Sequence, residues 1–217
     1  MRRFVAIIII GIIFIVTEGA VCMSERISLS KPSTDSDISL EYTIEKRRSV
    51  RRFKSDDLTL KQIGQLLWAA QGITDKRRGF RTAPSAGALY PMELYVVRKD
   101  GLYHYLPQSH QIERLRDKDL RRELSKAALG QKCVLDAPVD IIICAVFERV
   151  TSKYGRRGIR YTHIEAGHIA QNIHLQAVSL GLGSVPIGAF LDEEVINILN
   201  LPEKEKPLYI IAVGYPE

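Results

Sequence analysis

The segment from Arg81 to Leu94, R-T-A-P-S-A-G-A-L-Y-P-M-E-L, decides the fold of this 217-residue chain. Its four consecutive small residues, Ser85 to Ala88, allow the backbone to approach a flat ligand closely. Pro84 and Pro91 fix φ on either side and limit the freedom of the loop. The apolar run Tyr95 to Val97 follows and is typical of a strand. The segment therefore predicts a ligand-binding loop that leads into a sheet.

Upstream, the segment Glu45 to Phe53, E-K-R-R-S-V-R-R-F, places four arginines around one serine. Such a like-charge cluster is costly to hold together without an anion. Guanidinium groups form rigid forks of donors that match phosphate oxygens, and the hydroxyl of Ser49 adds one more donor. A nucleic-acid patch, an acidic-lipid patch or a charged surface turn are the alternatives. The cluster consists of Arg47, Arg48, Arg51 and Arg52.

Downstream, the segment Gly181 to Phe190, G-L-G-S-V-P-I-G-A-F, repeats the combination of small residues, one proline and a bulky apolar residue. A single loop of this kind is typical of a tight turn. Three compatible segments in one chain indicate a common site.

These segments resemble the three flavin-binding segments of the nitroreductase superfamily. The matching stretches are R-R-S-V-R-R-F, A-P-S-A-G-A-L-Y-P and G-L-G-S-V-P-I-G-A-F. Their order more closely resembles the SagB-type dehydrogenases, the branch that includes the azoline oxidases of thiazole- and oxazole-containing peptide synthesis. Two further segments match, K-Y-G-R-R-G-I-R-Y from Lys153 and E-A-G-H-I-A-Q-N-I-H-L-Q-A from Glu165. The resemblance runs from about Tyr42 to the last residue.

The resemblance implies an α+β fold with a central sheet flanked by helices. It also implies a homodimer with two FMN sites at the interface, and NAD(P)H as a possible electron donor. The FMN phosphate and ribityl chain would be held by Arg47, Arg48, Ser49 and Arg51, with Arg52 exposed. One side of the isoalloxazine would lie beside Pro84, Ser85, Ala86, Gly87 and Leu89. The other side would lie against Pro186, Ile187, Gly188 and Ala189, whose backbone amides are available to flavin N5.

The chain departs from the family pattern at two positions. Gly188 stands where many nitroreductases have an acidic residue, which leaves the tuning of N5 to the backbone. A basic residue near the C-terminus often contacts the phosphate in the family, whereas this sequence ends Gly214-Tyr215-Pro216-Glu217.

Lys153 and Tyr154 are the candidate catalytic residues. In the azoline-oxidising relatives, a Lys-Tyr pair at this motif takes part in the proton transfer that accompanies hydride removal. A lysine can act as a base when desolvation or neighbouring cations lower its pKa, and Arg156, Arg157 and Arg160 are such neighbours. The alternative is a solvated basic turn after a strand.

Polar residues on the following predicted helix have no spacing that fits a metal site. His168 and Asn172 are four residues apart and share a face. The sequence predicts that these residues satisfy hydrogen bonds at a helix-packed dimer interface.

The composition is that of one globular domain, with 46% hydrophobic and 26% charged residues. Much of the net charge of +6 lies in the two arginine clusters, which favours local anion sites. No zinc-finger spacing or RNA-binding signature points to a nucleic-acid partner. Cys133 and Cys144 lie in apolar surroundings, so no disulfide framework is expected.

The N-terminus begins with Arg2 and Arg3 and an apolar run from Phe4 to Val16. The run is short for a membrane span and fits a signal peptide or a short membrane anchor over residues 1–23. This pattern predicts a protein that is exported or membrane-anchored, with an extracytoplasmic domain. Residues 24–39 are polar and predict a linker, and residues 40–217 form the FMN-binding domain.

Hydrophobic periodicity and turn residues predict the elements of this domain. Helices are expected at Leu40–Lys46, Thr59–Gln71, Asp117–Leu129, Ile159–Leu180 and Asp192–Leu199. Strands are expected at Glu93–Arg98, Leu102–Leu106, Gln111–Leu115, Val139–Phe147, Val185–Ile187 and Leu208–Val213. Trp68 is predicted to lie in the core.

Three functions are compatible with these residues. The first is an FMN-dependent oxidoreductase of the SagB type, which moves two electrons between flavin N5 and a small or peptidic substrate. The second is an NAD(P)H-dependent nitro- or quinone reductase. The third is a non-catalytic, membrane-associated flavin-binding module.

Overall fold

A computed structural model describes residues 25–217. Its centre is a seven-stranded sheet in which every pairing is antiparallel, in the order β1-β6-β5-β4-β7-β9-β8. These strands are β1 (Arg26–Ser28), β4 (Met92–Arg98), β5 (Gly101–Leu106), β6 (Gln111–Arg116), β7 (Val139–Val146), β8 (Gly183–Ile187) and β9 (Glu205–Gly214). Two short strands, β2 (Ile73–Asp75) and β3 (Phe80–Arg81), form a separate hairpin.

Helices cover both faces of the sheet. They are α1 (Leu40–Lys46), α2 (Leu60–Gln71), α3 (Arg121–Ala127), α4 (Lys132–Asp136), α5 (Glu148–Tyr154), α6 (Arg157–Ser179) and α7 (Asp192–Leu199), with a 3-10 turn at Ala86–Ala88. The predicted α+β class, a central sheet flanked by helices, is confirmed.

The strand β7 lies at the centre and shows why the sheet has two helical layers. Ile141 and Ile143 belong to the core cluster that includes Leu67 of α2 and Ile173 of α6. Ile142 and Cys144, one residue out of phase, belong to the cluster with α3, α4 and α7. Side chains alternate across a strand, so a continuous apolar run is needed where both faces are covered. Each fully buried aliphatic side chain here stabilises the fold by roughly 1.5–3 kcal/mol.

Capping residues set the ends of α2, which precedes the loop that matters for function. The hydroxyl of Thr59 accepts a hydrogen bond from the backbone N–H of Gln62 at 3.2 Å, and Gln62 Oε1 accepts from the Thr59 N–H at 3.0 Å. This reciprocal pair forms a capping box. Gly72 ends the helix, and its N–H donates to the carbonyl of Trp68 at 2.7 Å. The predicted helix Thr59–Gln71 is observed at Leu60–Gln71, with Thr59 as its N-cap and Gly72 closing it.

Several local predictions need correction. The predicted linker, residues 24–39, contributes β1, which pairs with β6 at the edge of the sheet. Lys153 and Tyr154 end the helix α5 and do not lie in a turn. Trp68 is half-buried and is not a core residue.

The localisation prediction is also corrected. Among residues 25–217, no helix combines the length and the apolar character that crossing a bilayer requires. The prediction of a membrane-anchored domain is therefore wrong for the part of the chain that the structure describes. The segment 1–23, on which the signal peptide or anchor was predicted, lies outside the described residues.

Candidate functional site

The basic loop, which carries Arg47, Arg48, Arg51 and Arg52, lies beside the strand β8. Ser49 forms a parallel β-bridge with Ser184, and the backbone N–H of Val50 donates to the carbonyl of Ser184 at 3.0 Å. Gly183 is required at this junction, because a Cβ there would lie 2.7 Å from the side chain of Val50. The first and third predicted flavin-binding segments are therefore neighbours within one chain.

The four arginines of the basic loop differ in their surroundings. In the described part of the chain, neither Arg47 nor Arg51 forms an ion pair with a carboxylate. Arg48 Nη1 instead donates to the carbonyls of Glu45 at 2.9 Å and Arg47 at 2.7 Å. Arg52, outside the family pattern, is exposed as predicted and pairs with Glu217 at 3.3 Å. Two guanidinium groups thus remain available to an anion.

A buried histidine lies behind this loop. His174 Nδ1 is 2.6 Å from Ser184 Oγ, and His174 Nε2 is buried without a hydrogen-bond partner among residues 25–217. Burial and, secondarily, the charge of Arg47 lower the pKa of His174 to about 4. The imidazole is therefore neutral at neutral pH and links α6 to β8. The sequence pattern did not reveal this position of His174 behind the loop.

The second predicted flavin-binding segment, around residues 84–90, forms a strained turn. The φ angles of Gly87, Ala88 and Tyr90 are 65°, 54° and 46°, all in the left-handed region. Non-glycine residues in this region cost about 1 kcal/mol or more each and persist where the surroundings fix them. Here Ser85 Oγ accepts a hydrogen bond from the backbone N–H of Tyr90 at 2.9 Å. The Ser85 carbonyl accepts one from the backbone N–H of Ala88 at 3.0 Å. The turn is held in one shape by Ser85.

The predicted catalytic pair lies directly against this turn. A Cβ on Gly87 would lie 2.7 Å from Tyr154 Oη and 3.1 Å from Lys153 Nζ. The ammonium group of Lys153 is also 5.4 Å from the centre of the Tyr154 ring. The absence of a side chain at position 87 leaves both functional groups facing the turn at close range.

A buried carboxyl group supports the turn from its other side. Glu165 is 2% exposed, and its Oε1 accepts a hydrogen bond from Gln71 Nε2 at 3.4 Å. Arg81 Nη1 donates to Gln71 Oε1 at 2.8 Å. Burial raises the pKa of Glu165 to about 7, against the opposing effects of Ser85, Gln71 and Arg81. The sequence carries one signal for this residue: Ile169 and Ile173 follow it at helical spacing and place it on an apolar stripe.

The third segment presents an exposed end. Ile187 is buried, Pro186 is half-buried, and Gly188 and Ala189 are exposed. Gln131 Nε2 donates to the carbonyl of Ala189 at 3.1 Å, which fixes the segment to the layer of α3 and α4. This part of the backbone is accessible to a ligand.

Within one chain, the residues thus fall into two groups. Arg47, Arg51, Ser49 and the segment 186–189 belong to the junction of the basic loop with β8. The segment 84–89, with Pro84 exposed and Leu89 half-buried, lies against Lys153 and Tyr154 at the end of α5 and contacts α6. The free guanidinium groups and the serine hydroxyl form a donor set that suits a phosphate group. The small-residue turn suits the flat face of a ring.

Comparisons with known proteins agree with this arrangement. The family model described as the nitroreductase family matches residues 44–215. A protein of Methanocaldococcus jannaschii, provisionally named a nitroreductase, is 46% identical over 198 residues, which are 88% of this chain and 98% of that protein. A crystal structure of a provisionally named nitroreductase from Ralstonia eutropha has a TM-score of 0.81 and 32% identity, and covers 91% of this chain and 93% of that one.

Two more distant relatives have more specific names. The microcin B17-processing protein McbC of Escherichia coli is 29% identical over 72% of this chain, and the FMN reductase [NAD(P)H] of Bacillus subtilis is 26% identical over 78%. This chain spans 62% of the length of each. From the residues brought together and from the family match over most of its length, the chain belongs to the nitroreductase family and is a flavin-dependent oxidoreductase.

Proposed function

We propose that this protein binds FMN and moves two electrons between the flavin and a small or peptidic substrate, as a dehydrogenase of the SagB type. The observation that carries the proposal is the contact of Gly87 with Lys153 and Tyr154, at 3.1 and 2.7 Å from a Cβ built there. The similarity to the microcin-processing protein supports the same branch. Bound FMN would supply, at its N5 atom, the acceptor for a hydride, which consists of two electrons and one proton.

The protein's own residues would bind and orient the reactants. Arg47, Arg51 and Ser49 would hold the phosphate. The turn at residues 84–89 and the segment 186–189 would face the two sides of the ring. Lys153, assisted by Tyr154, would take the proton that leaves the substrate as the hydride departs, which is general-base assistance. Gly188 offers no side chain to N5, so hydrogen bonding there would come from backbone amides.

The second candidate is an NAD(P)H-dependent nitro- or quinone reductase. The 46% identity to a provisionally named nitroreductase and the similarity to an FMN reductase favour it. In this role NAD(P)H would reduce the flavin, and a nitro compound or quinone would reoxidise it. The match to the nitroreductase family and the similarity to an FMN reductase argue against the third hypothesis, a non-catalytic module at the membrane.

We infer further that the flavin site is completed in a homodimer. Two grooves of about 600 and 350 Å³ lie between α2, α6 and the N-terminal segment and share Trp68. Exposed Ile38 and Leu40 line them, and α1 also exposes Tyr42 and Ile44. A second copy on this face would cover apolar surface and would bring its turn at residues 84–89 toward the basic loop. Light scattering should give twice the mass of the chain, and a flavin-loaded monomer would contradict this inference.

One experiment separates the candidate functions. The purified protein should show the absorption spectrum of bound oxidised flavin. Under anaerobic conditions, NADH or NADPH with a nitroaromatic acceptor tests the reductase, and an azoline-containing peptide tests the dehydrogenase. Bleaching of the flavin by the peptide, with no bleaching by NAD(P)H, supports the SagB-type proposal. The reverse result favours the reductase, and a protein that takes up no flavin refutes both.

A further inference from the structure

The first turn of α6 carries a second basic surface, separate from the basic loop. Arg156, Arg157 and Arg160, together with Ile159, line an open cavity of about 400 Å³. All four side chains are exposed. Arg156 and Arg160 are four residues apart, so their side chains extend from the same side of the helix. The cavity is large enough for a phosphate or carboxylate group and part of the molecule that carries it.

The charges of this surface are not compensated by protein carboxylates. Within residues 25–217, no ion pair involves Lys153, Arg156, Arg157 or Arg160. The first turn of α6 contains no acidic residue, and Arg156 provides no side-chain cap. The helix dipole adds positive potential at the same end. Four cations within eight residues repel one another, and an anion would relieve that repulsion.

The surface adjoins the proposed reaction site through two tyrosines. The ring of Tyr161 packs edge-on against that of Tyr154, with centroids 5.3 Å apart. Tyr154 in turn contacts the turn at Gly87. Arg157 is four residues before Tyr161 and lies on the same side of α6, about one helical turn, or about 5.4 Å, away. A molecule with its reactive carbon beside Lys153 could therefore extend an anionic group to these arginines.

The neighbouring residues favour a small ligand over a nucleic acid. The basic surface is bordered by exposed apolar side chains, with Ile159 45% and Ile164 49% exposed. A phosphate backbone requires basic residues along an extended track. Here the charge is confined to one turn of a helix beside apolar surface, which suits a molecule with one anionic group and one apolar part.

We propose that Arg156, Arg157 and Arg160 form an anion-binding subsite for the phosphate or carboxylate group of a small-molecule redox substrate. The assignment to a redox substrate rests on the proposed function, whereas the anion binding itself does not. The anionic group could belong to the electron donor, such as the pyrophosphate of a nicotinamide dinucleotide, or to the molecule that exchanges electrons with the flavin in the other half-reaction. The two sources share the same recognition chemistry.

Direct binding tests the subsite without any turnover. Inorganic pyrophosphate is titrated calorimetrically into protein carrying Arg47→Ala and Arg51→Ala, so that the basic loop does not contribute. Arg156→Glu with Arg160→Glu should weaken binding at least about tenfold, since two attractive contacts become repulsive. Arg122→Glu with Lys126→Glu, an exposed pair of the same spacing on α3, should change binding less than about twofold. Equal binding by the two variants would overturn the proposal.

Steady-state kinetics of the flavin-loaded protein then distinguish the sources. NADH is compared with 1-benzyl-1,4-dihydronicotinamide as donor, and 4-nitrobenzoate with 4-nitrobenzamide as acceptor. In Arg156→Glu with Arg160→Glu, the KM of the anionic member of one pair should rise at least about tenfold, while its neutral counterpart stays within about twofold. If neither KM responds, the arginines do not serve the active site and the proposal is wrong. If the loaded protein turns over none of these compounds, the second candidate function, the reductase, fails, and the pyrophosphate titration still decides whether the subsite exists.

Discussion

Gln71 Nε2 donates a hydrogen bond to Glu165 Oε1 at 3.4 Å and thereby joins the end of α2 to the first half of α6. Gln71 itself accepts a hydrogen bond from Arg81, and Arg81 leads into the turn at residues 84–89. Glu165 Oε2 is buried without a hydrogen-bond partner among the described residues. The carboxyl group is thus part of the support of the turn, and its protonation should affect both stability and the shape of the turn.

The first prediction concerns the pH dependence of stability. In the folded protein the Glu165 carboxyl has a pKa of about 7 and stays protonated below that pH. In the unfolded chain its pKa is about 4.5. The free energy of unfolding should therefore fall as pH rises from about 4.5 to about 7, by on the order of 3 kcal/mol. Glu165→Gln should remove this contribution and be more stable than the wild type at pH 8, with little difference near pH 4.5.

Urea unfolding at four pH values from 4.5 to 8 measures this effect, and Glu194→Gln on the exposed side of α7 is the matched control. Other titrating groups cancel in the difference between variant and wild type. A difference between Glu165→Gln and the wild type that does not change with pH would contradict the prediction.

The second prediction uses two glycines with nearly the same backbone conformation. Gly87 has φ +65° and would place a Cβ 2.7 Å from Tyr154 Oη, whereas Gly79 has φ +70° with no atom within 4 Å of a Cβ. Alanine at either position costs about 1 kcal/mol in backbone strain. Gly87→Ala should in addition displace Lys153 and Tyr154, because the new Cβ would meet the ends of their side chains. Substrate turnover and flavin content should change more in Gly87→Ala than in Gly79→Ala, whereas the two melting temperatures should be similar. Equal losses of turnover and flavin would refute the close contact.

The third prediction tests the phosphate assignment. Each charge-assisted bond to a phosphate is worth roughly 1.5–3 kcal/mol, so Arg47→Ala with Arg51→Ala should lower FMN affinity at least about a hundredfold. Arg52→Ala with Lys54→Ala removes the same charge from the same loop and should leave affinity nearly unchanged, because Arg52 pairs with Glu217. Fluorescence titration of flavin-free protein measures both. A full complement of flavin in the first variant would show that the assignment is wrong.

The fourth prediction concerns the proton transfer. Lys153→Ala should reduce substrate oxidation by about 10²–10⁴-fold, the usual contribution of general acid–base assistance. The flavin spectrum and the melting temperature should stay nearly unchanged, because Lys153 is exposed. Lys132→Ala, also exposed, is the surface control. Wild-type rates in Lys153→Ala, or loss of its flavin, would contradict a role of Lys153 in proton transfer.

The fifth prediction concerns a carboxylate inside the sheet. Asp140 on β7 is fully buried, and neither of its oxygens has a hydrogen-bond partner in the described part of the chain. Burial raises the pKa of Asp140 well above its usual range, with the charge of Arg121 opposing this. Asp140→Asn should therefore raise the free energy of unfolding by about 1–3 kcal/mol at pH 8, and less near pH 4. Calorimetry at both pH values measures this effect, with Asp136→Asn at an exposed position as the control. A destabilised Asp140→Asn would contradict the prediction.

The sequence predicted those elements whose signals are local. The helix at Leu40–Lys46 and the helix at Asp192–Leu199 have the predicted boundaries, and the run of β7 could be recognised because both of its faces are buried. By contrast, β1 has only three residues, Arg26, Ile27 and Ser28, and forms because β6 offers a free edge more than eighty residues away. No local pattern reports such a pairing. The helix α5 is short and lacks a side-chain cap, so no helix was predicted there and a turn was considered as the alternative.

The candidate site was predictable to a similar degree. The motifs named the loops and the Lys153–Tyr154 pair, and the structure places this pair against Gly87. The supporting residues, Glu165 and His174, were missed as such, because burial of a polar group depends on what the fold packs around it. The uncompensated charge at the start of α6 likewise depends on which carboxylates come near it in space.

The segment between β1 and α1 has a consequence for how this protein could be observed. It crosses the groove of α2 and α6 and is held there by polar contacts, with Gln65 bonded to the backbone of Ser33 and Ser36 Oγ 3.2 Å from Ser179 Oγ. Few buried apolar contacts hold it, so it should open locally far more readily than the sheet and lose amide protection first in hydrogen exchange. Trp68, the single tryptophan of the chain, lines the groove that this segment crosses. Its fluorescence is therefore a built-in probe of whether that face is covered by its own chain, by a partner or by water.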